Sequence, residues 1–132
     1  MRHRVLRLLR RRLAPVLLLP VLAGCATAAP PTPNVPVSVK GQAIAPYALH
    51  EECVKLVPGD RLEYHFTAGA PLNFNIHYHE GKAVVLPVSR DGVGSDSGVF
   101  QPKVAQDYCL MWEAGVTATT IDYHFVLRRG PR

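Results

Sequence analysis

The stretch Arg61-Leu62-Glu63-Tyr64-His65-Phe66-Thr67 decides the fold. Leu62, Tyr64 and Phe66 alternate with Glu63, His65 and Thr67. A period of two is the signature of a strand with one face in a core and the other in water. The same rhythm returns twice. Phe74, Ile76 and Tyr78 alternate with Asn73, Asn75, His77 and His79, and Ile121, Tyr123, Phe125 and Leu127 alternate with Asp122, His124 and Val126. Glu80-Gly81-Lys82 reads as a hairpin turn into Ala83-Val84-Val85-Leu86. Tyr108-Cys109-Leu110-Met111-Trp112 is nearly continuous apolar, as expected of a central strand. Breakers stand between these runs: Pro58-Gly59-Asp60, Gly69-Ala70-Pro71, Pro87 and Pro102. The polar, glycine-rich stretch from Arg90 to Gly98 reads as a flexible loop between strands. Its Asp91 and Asp96 lack the alternating ligand spacing of a calcium loop. No helix-length segment with a 3.6 period follows residue 25, and no solenoid-length repeat is present. The expected fold is all-β, a small antiparallel β-sandwich.

The N-terminal quarter carries a different signal. Arg2, Arg4, Arg7, Arg10, Arg11 and Arg12 precede an apolar run from Leu13 to Leu22. A basic n-region before a short h-region is the pattern of a secretory signal peptide. About ten apolar residues fall short of the roughly 20 that a membrane-spanning helix needs. Leu22-Ala23-Gly24-Cys25 resembles the lipobox of bacterial lipoproteins. That resemblance implies removal of residues 1–24 and lipidation of Cys25 as the new N-terminus. Ala26 follows the cysteine where an aspartate would suggest inner-membrane retention, so the outer membrane is favoured. Residues 25–46, rich in small residues and proline, read as an extended tether to a domain at 47–130.

Removal of the leader reverses the charge argument. The whole chain carries 15 basic and 10 acidic residues. Six of the basic ones precede Cys25, so nine face ten acids afterwards and the net charge becomes about −1. The basic balance is thus an export signal and not a nucleic-acid footprint. Cys53 and Cys109 remain as an even pair in an oxidising compartment. A disulfide is the default expectation, with two free thiols as the alternative.

The order of features from residue 50 to 128 resembles the GOLD domain, a β-sandwich with jelly-roll or immunoglobulin-like topology. The resemblance rests on Glu52-Cys53, Gly59-Asp60-Arg61-Leu62, Pro71 to Ile76, the turn at Gly81-Lys82, Ser97 to Phe100, and Tyr108 to Trp112. It implies a Cys53–Cys109 bridge and a non-enzymatic interaction module. The coiled coil, membrane span and sorting tail that follow the domain in that family's cargo receptors have no counterpart after residue 128. The resemblance therefore implies nothing about vesicle traffic.

Five histidines follow Cys25. His77 and His79 share a strand face beside a turn, where two imidazoles and a further ligand would suit Cu, Zn or Ni. His65 and His124 stand in matching acidic-Tyr-His-Phe segments and would face each other if those strands pair. A cupredoxin-like copper site is disfavoured, because Met111 follows Cys109 by two residues with no nearby histidine. No nucleophile elbow, phosphate-binding loop, zinc-protease or dinucleotide motif is present. The sequence thus points to a non-enzymatic lipoprotein of the cell envelope, held to the membrane by its N-terminal lipid. Its domain would lie in the periplasm and bind a protein or envelope component. Transition-metal binding by His77, His79, His65 and His124 is the alternative.

Overall fold

The computed structural model describes residues 29–131, so the leader, the lipobox and Cys25 lie outside the described residues. Six strands follow: β1 (Val37–Ile44), β2 (Leu49–Leu56), β3 (Arg61–Glu80), β4 (Ala83–Phe100), β5 (Gln106–Ala114) and β6 (Thr119–Arg128). All pairings are antiparallel, in the order β1-β6-β3-β5-β2 with β4 on the other edge of β3. The all-β expectation holds.

The long strand β3 explains the architecture. Its first half, Arg61 to Ala68, pairs with β6, and its second half, Leu72 to His77, pairs with β5. Gly69-Ala70-Pro71 breaks the register between the halves without ending the strand. The sheet folds over on itself there, so β5 and β6 face one another without sharing a ladder. Trp112 of β5 stacks on Tyr123 of β6 with ring centroids 4.8 Å apart, and Phe66 meets the indole edge-on at 5.9 Å. Phe74 packs between them, 4.7 Å from Phe66 and 5.5 Å from Trp112. These aromatic contacts across the fold supply the core between the two layers.

Three expectations need correction. Arg90 to Gly98 is not a loop but the second half of β4, in register with β3 from Tyr64–Gly98 to Thr67–Ser95. This half is an edge strand and mostly exposed, so no apolar alternation marks it. A Cβ on Gly98 would strike the Tyr64 ring, whose hydroxyl donates to Asp96 at 3.1 Å. Gly69-Ala70-Pro71 and Pro87 lie inside strands, at a bend and on an edge where proline is tolerated. The tether does not extend to Pro46, because β1 occupies Val37–Ile44 and pairs with β6. A bulge at Gly41, φ 66°, breaks the alternation of β1 and conceals it in the sequence.

Two clamps reinforce the sandwich, one within a layer and one at its end. Cys53 and Cys109 are directly opposed on β2 and β5 and form a disulfide. At one end the buried carboxylate of Asp60 accepts hydrogen bonds from the backbone of Val57 and Gly130 and from Arg129. Burial alone would raise the Asp60 pKa, but these backbone and guanidinium donors outweigh it and hold it below the usual value. A Cβ on Gly130 would collide with the carbonyl of Gly59, so the closure demands glycine there. In the chain-entropy treatment, a bridge across 56 residues contributes about 4 kcal/mol. Urea titration of Cys53→Ala/Cys109→Ala is expected to show a loss of that order; a midpoint unchanged from the wild type would contradict it.

Candidate functional site

The strand directions give the sandwich two distinct ends. Asn34 donates its N–H to the Leu127 carbonyl at 2.8 Å, so the chain enters at the C-terminal end of β6. Arg61, the β3–β4 turn and the 101–105 segment lie at this proximal end. The opposite, distal end carries the β1–β2 turn, the β5–β6 turn and the bend of β3.

The histidines divide into two pairs that do not meet. His77 and His79 share a face, with ring centroids 5.2 Å apart. His77 is only 4 % exposed, contrary to the accessible position expected beside a turn. Its Nδ1 is 2.8 Å from Asn75 Oδ1, and its Nε2 is 3.3 Å from Glu51 Oε1. Both ring nitrogens are therefore engaged, and the depression around them, of 380 Å³, is also lined by Val84, Leu86 and Met111. His65 and His124 do pair across β3 and β6, as the repeated segments suggested. His124 Nδ1 lies 2.7 Å from Ser38 Oγ, and the two carboxylates beside this pair are committed elsewhere. Glu63 binds Arg128, and Asp122 accepts the Gly41 N–H. The two pairs stand on different layers, His65 where β3 pairs with β6 and His77 where β3 pairs with β5. Among the described residues, the one close group of three metal-type side chains is Glu51, Cys53 and Cys109, whose sulfurs are bonded to each other.

A different surface stands out at the distal end. Tyr47 is 73 % exposed and adopts φ 59°, the left-handed region that tyrosine seldom occupies. Its N–H donates to the Gly115 carbonyl at 2.9 Å, which binds the two turns together. The N–H of Ala114 returns a bond to the Ala48 carbonyl at 2.9 Å. These two bonds hold the strained backbone in place. Val116, 74 % exposed, projects from the neighbouring turn, and Leu49, 55 % exposed, begins β2 below it. A shallow depression of 590 Å³ adjoins them, lined by small residues that include Ala43, Ala45, Gly69, Ala70 and Ala118. Thr119 pins its floor, accepting from the Ala70 N–H at 2.9 Å and donating to the Ala70 carbonyl at 3.3 Å.

Beneath the tip lies a polar group within the aromatic core. Tyr123 donates to Glu52, and His50 Nε2 sits 3.1 Å from the same hydroxyl. Burial raises the Tyr123 pKa, and the hydrogen bond to Glu52 and that carboxylate's charge raise it further. The buried Nε1 of Trp112 has no protein partner.

No protein-family model matches the chain, and no curated protein matches it. Among solved structures it is similar to PliG of Aeromonas hydrophila, a periplasmic inhibitor of g-type lysozyme. The identity is 13 %, the match covers 70 % of this chain and 86 % of that one, and the TM-score is 0.49. A likeness this distant says nothing about what this chain binds.

The sequence does not reveal the tip, because its signal lies in backbone angles. Ala45-Pro46-Tyr47-Ala48 and Glu113 to Ala118 mark turns, but nothing in them announces a tyrosine at positive φ.

Burial sets a pH dependence at His77. It lowers the pKa, Glu51 opposes this, and His79 adds to it. With the folded pKa below the unfolded one, the unfolded state binds more protons between the two values. Stability contributed by neutral His77 is complete above about pH 6.5 and declines as the pH falls through that value. Denaturation of His77→Gln between pH 7.5 and 5 is expected to show a shallower loss than the wild type; parallel curves would assign the dependence to other groups.

Proposed function

We propose that this chain is a lipid-anchored protein of the bacterial cell envelope, with a non-enzymatic β-sandwich that binds a protein partner through its distal tip. The observation that carries this reading is the strained, exposed Tyr47 beside Val116 and Leu49. Left-handed backbone costs a non-glycine residue roughly 1–2 kcal/mol, and here it orders no core. What it does is hold an aromatic ring outward on a rigid platform. Tyrosine is enriched at interface hot spots because it brings a large contact area with few rotatable bonds. The adjoining depression is shallow and lined by small side chains, which suits a protein surface better than an enclosed small molecule.

The anchor reading is supported by the sequence of residues 1–25, and the disulfide fits an oxidising compartment. The domain would then lie in the periplasm, with the outer membrane favoured by Ala26. A GOLD-like identity for the sandwich carries the same expectation of an interaction module. The geometry of the histidines gives no comparable support to metal binding.

Tyr47→Gly separates strain from function. Glycine adopts φ 59° freely, so the variant is expected to gain about 1 kcal/mol in denaturant titration. It is also expected to lose the partner. A photo-crosslinking amino acid at Val116 in intact cells is expected to give a discrete adduct that Tyr47→Gly abolishes, while the same probe at the exposed, proximal Asp107 gives none. Adducts of equal yield at both positions, or an adduct indifferent to Tyr47, would remove the tip from consideration.

A further inference from the structure

The end opposite the tip has its own composition. Of the eight lysines and arginines among the described residues, six lie at the proximal end: Lys55, Arg61, Lys82, Lys103, Arg128 and Arg129. Four carboxylates share that end, Asp60, Glu63, Glu80 and Asp107. Asp60 and Glu63 are ion-paired with Arg129 and Arg128. No ion pair engages Lys55, Arg61, Lys82 or Lys103 among the described residues. The remainder of the domain carries six carboxylates and two cations, Lys40 and Arg90. A domain that is nearly neutral as a whole is thus polarised along its strands, positive where the chain enters and negative towards the tip.

The same end is open and apolar. A cleft of 530 Å³ lies between the β3–β4 hairpin and the 101–105 segment. The rings of Tyr78, Tyr108 and Phe100 form its floor, edge to face at 5.1 and 5.0 Å. Val104 and Lys103 stand on one rim, with Val85 and Pro87 on the other. Val104 is exposed at the opening, whereas Val84 and Leu86 face the His77 depression on the other side of β4. Neighbouring Lys82 caps the hairpin turn.

We propose that this proximal end is a bilayer-docking surface, in which the aromatic cleft and its rim of Val85, Pro87 and Val104 enter the interface of an anionic membrane while Lys82 and Lys103 meet lipid phosphates. Two observations choose the bilayer as the occupant. The eleven residues from Cys25 to Val35 reach at most roughly 35 Å, and the chain enters the sandwich at this end, so an anchor at Cys25 keeps this end within reach of the membrane surface. The unpaired cations are concentrated here, and an apolar rim flanked by lysines matches the layered chemistry of the interface. The inference rests on the lipid-anchor reading. It adds that the domain stands in a fixed orientation, tip outward, and is not a freely tumbling body on a string.

The test uses the full chain with vesicles of phosphatidylglycerol and phosphatidylcholine in equal parts, or of phosphatidylcholine alone, read by hydrogen exchange and by flotation. Amides of residues 79–86 and 101–105 are expected to slow with the anionic vesicles, while those of 45–48 and 115–118 do not. Lys82→Gln/Lys103→Gln is expected to lower the docked-to-undocked ratio read from that protection about 30-fold, since each lysine near an anionic surface adds roughly fivefold. Both substitutions are on exposed side chains, so folding is preserved. Equal protection by both vesicle types, or protection unchanged in the double variant, would overturn the docking surface. So would a concentration-dependent dimer that protects the same amides without vesicles, which would assign the cleft to a second copy. Mass spectrometry of the N-terminal peptide reads the anchor separately. A Cys25 without acyl groups removes the anchor reading, whereas an acylated protein lacking vesicle-dependent protection removes only the docking surface.

Discussion

The bend in β3 governs the rest of the molecule. One strand of 20 residues supplies an inner member to each layer, so both layers take their register from a single chain segment. A continuous straight strand of that length would leave β5 and β6 side by side in an open sheet with an unburied apolar face. Gly69-Ala70-Pro71 prevents this. Proline withholds an N–H from the ladder, and the Thr119 hydroxyl bonds both the N–H and the carbonyl of Ala70. The aromatic contacts between Phe66, Phe74, Trp112 and Tyr123 follow from that geometry. The same bend forms one wall of the distal depression, so the element that folds the core also shapes the candidate site.

What could be read from the sequence tracks how strongly each strand is buried on one face. The apolar side chains of β3, β5 and β6 alternate or run together because each meets a core, and those strands were legible as a result. The edges were not. The second half of β4 is Arg-Asp-Gly-Val-Gly-Ser-Asp-Ser-Gly, a composition that favours turns in isolation. Its strand geometry is imposed from outside, by the long exposed edge that β3 offers. β1 was hidden for another reason: a single bulge at Gly41 shifts the face of every residue after it.

The candidate site was less legible than the fold, and His77 shows why. Period-two reasoning correctly set His77 and His79 on one face. It could not show that the face is covered there, because cover comes from Glu51 and Asn75, on a strand 26 residues earlier and two residues back. Exposure is a property of the neighbours. Tyr47 presents the converse case, a residue whose significance lies in its backbone angle and in a hydrogen bond to a turn some seventy residues later.

On the proposed reading, the two ends of the sandwich divide the labour in a way that neither end alone would suggest. A strained tyrosine at one end is useful only if it points where a partner can approach. A tether alone would not fix which way the tip faces. Clustering of cations and an apolar cleft at the opposite end, on the side where the chain enters, gives the domain a reason to stand with that end down. The Asp60 clasp reinforces this, because Arg129, Gly130 and the β2–β3 turn are drawn into one rigid base beside the N-terminal entry. Strand length sets the height of the display: β6, ten residues from its distal start to its proximal end, separates the two surfaces by about 30 Å. At that separation a partner can engage the tip without competing with the bilayer for the same side chains.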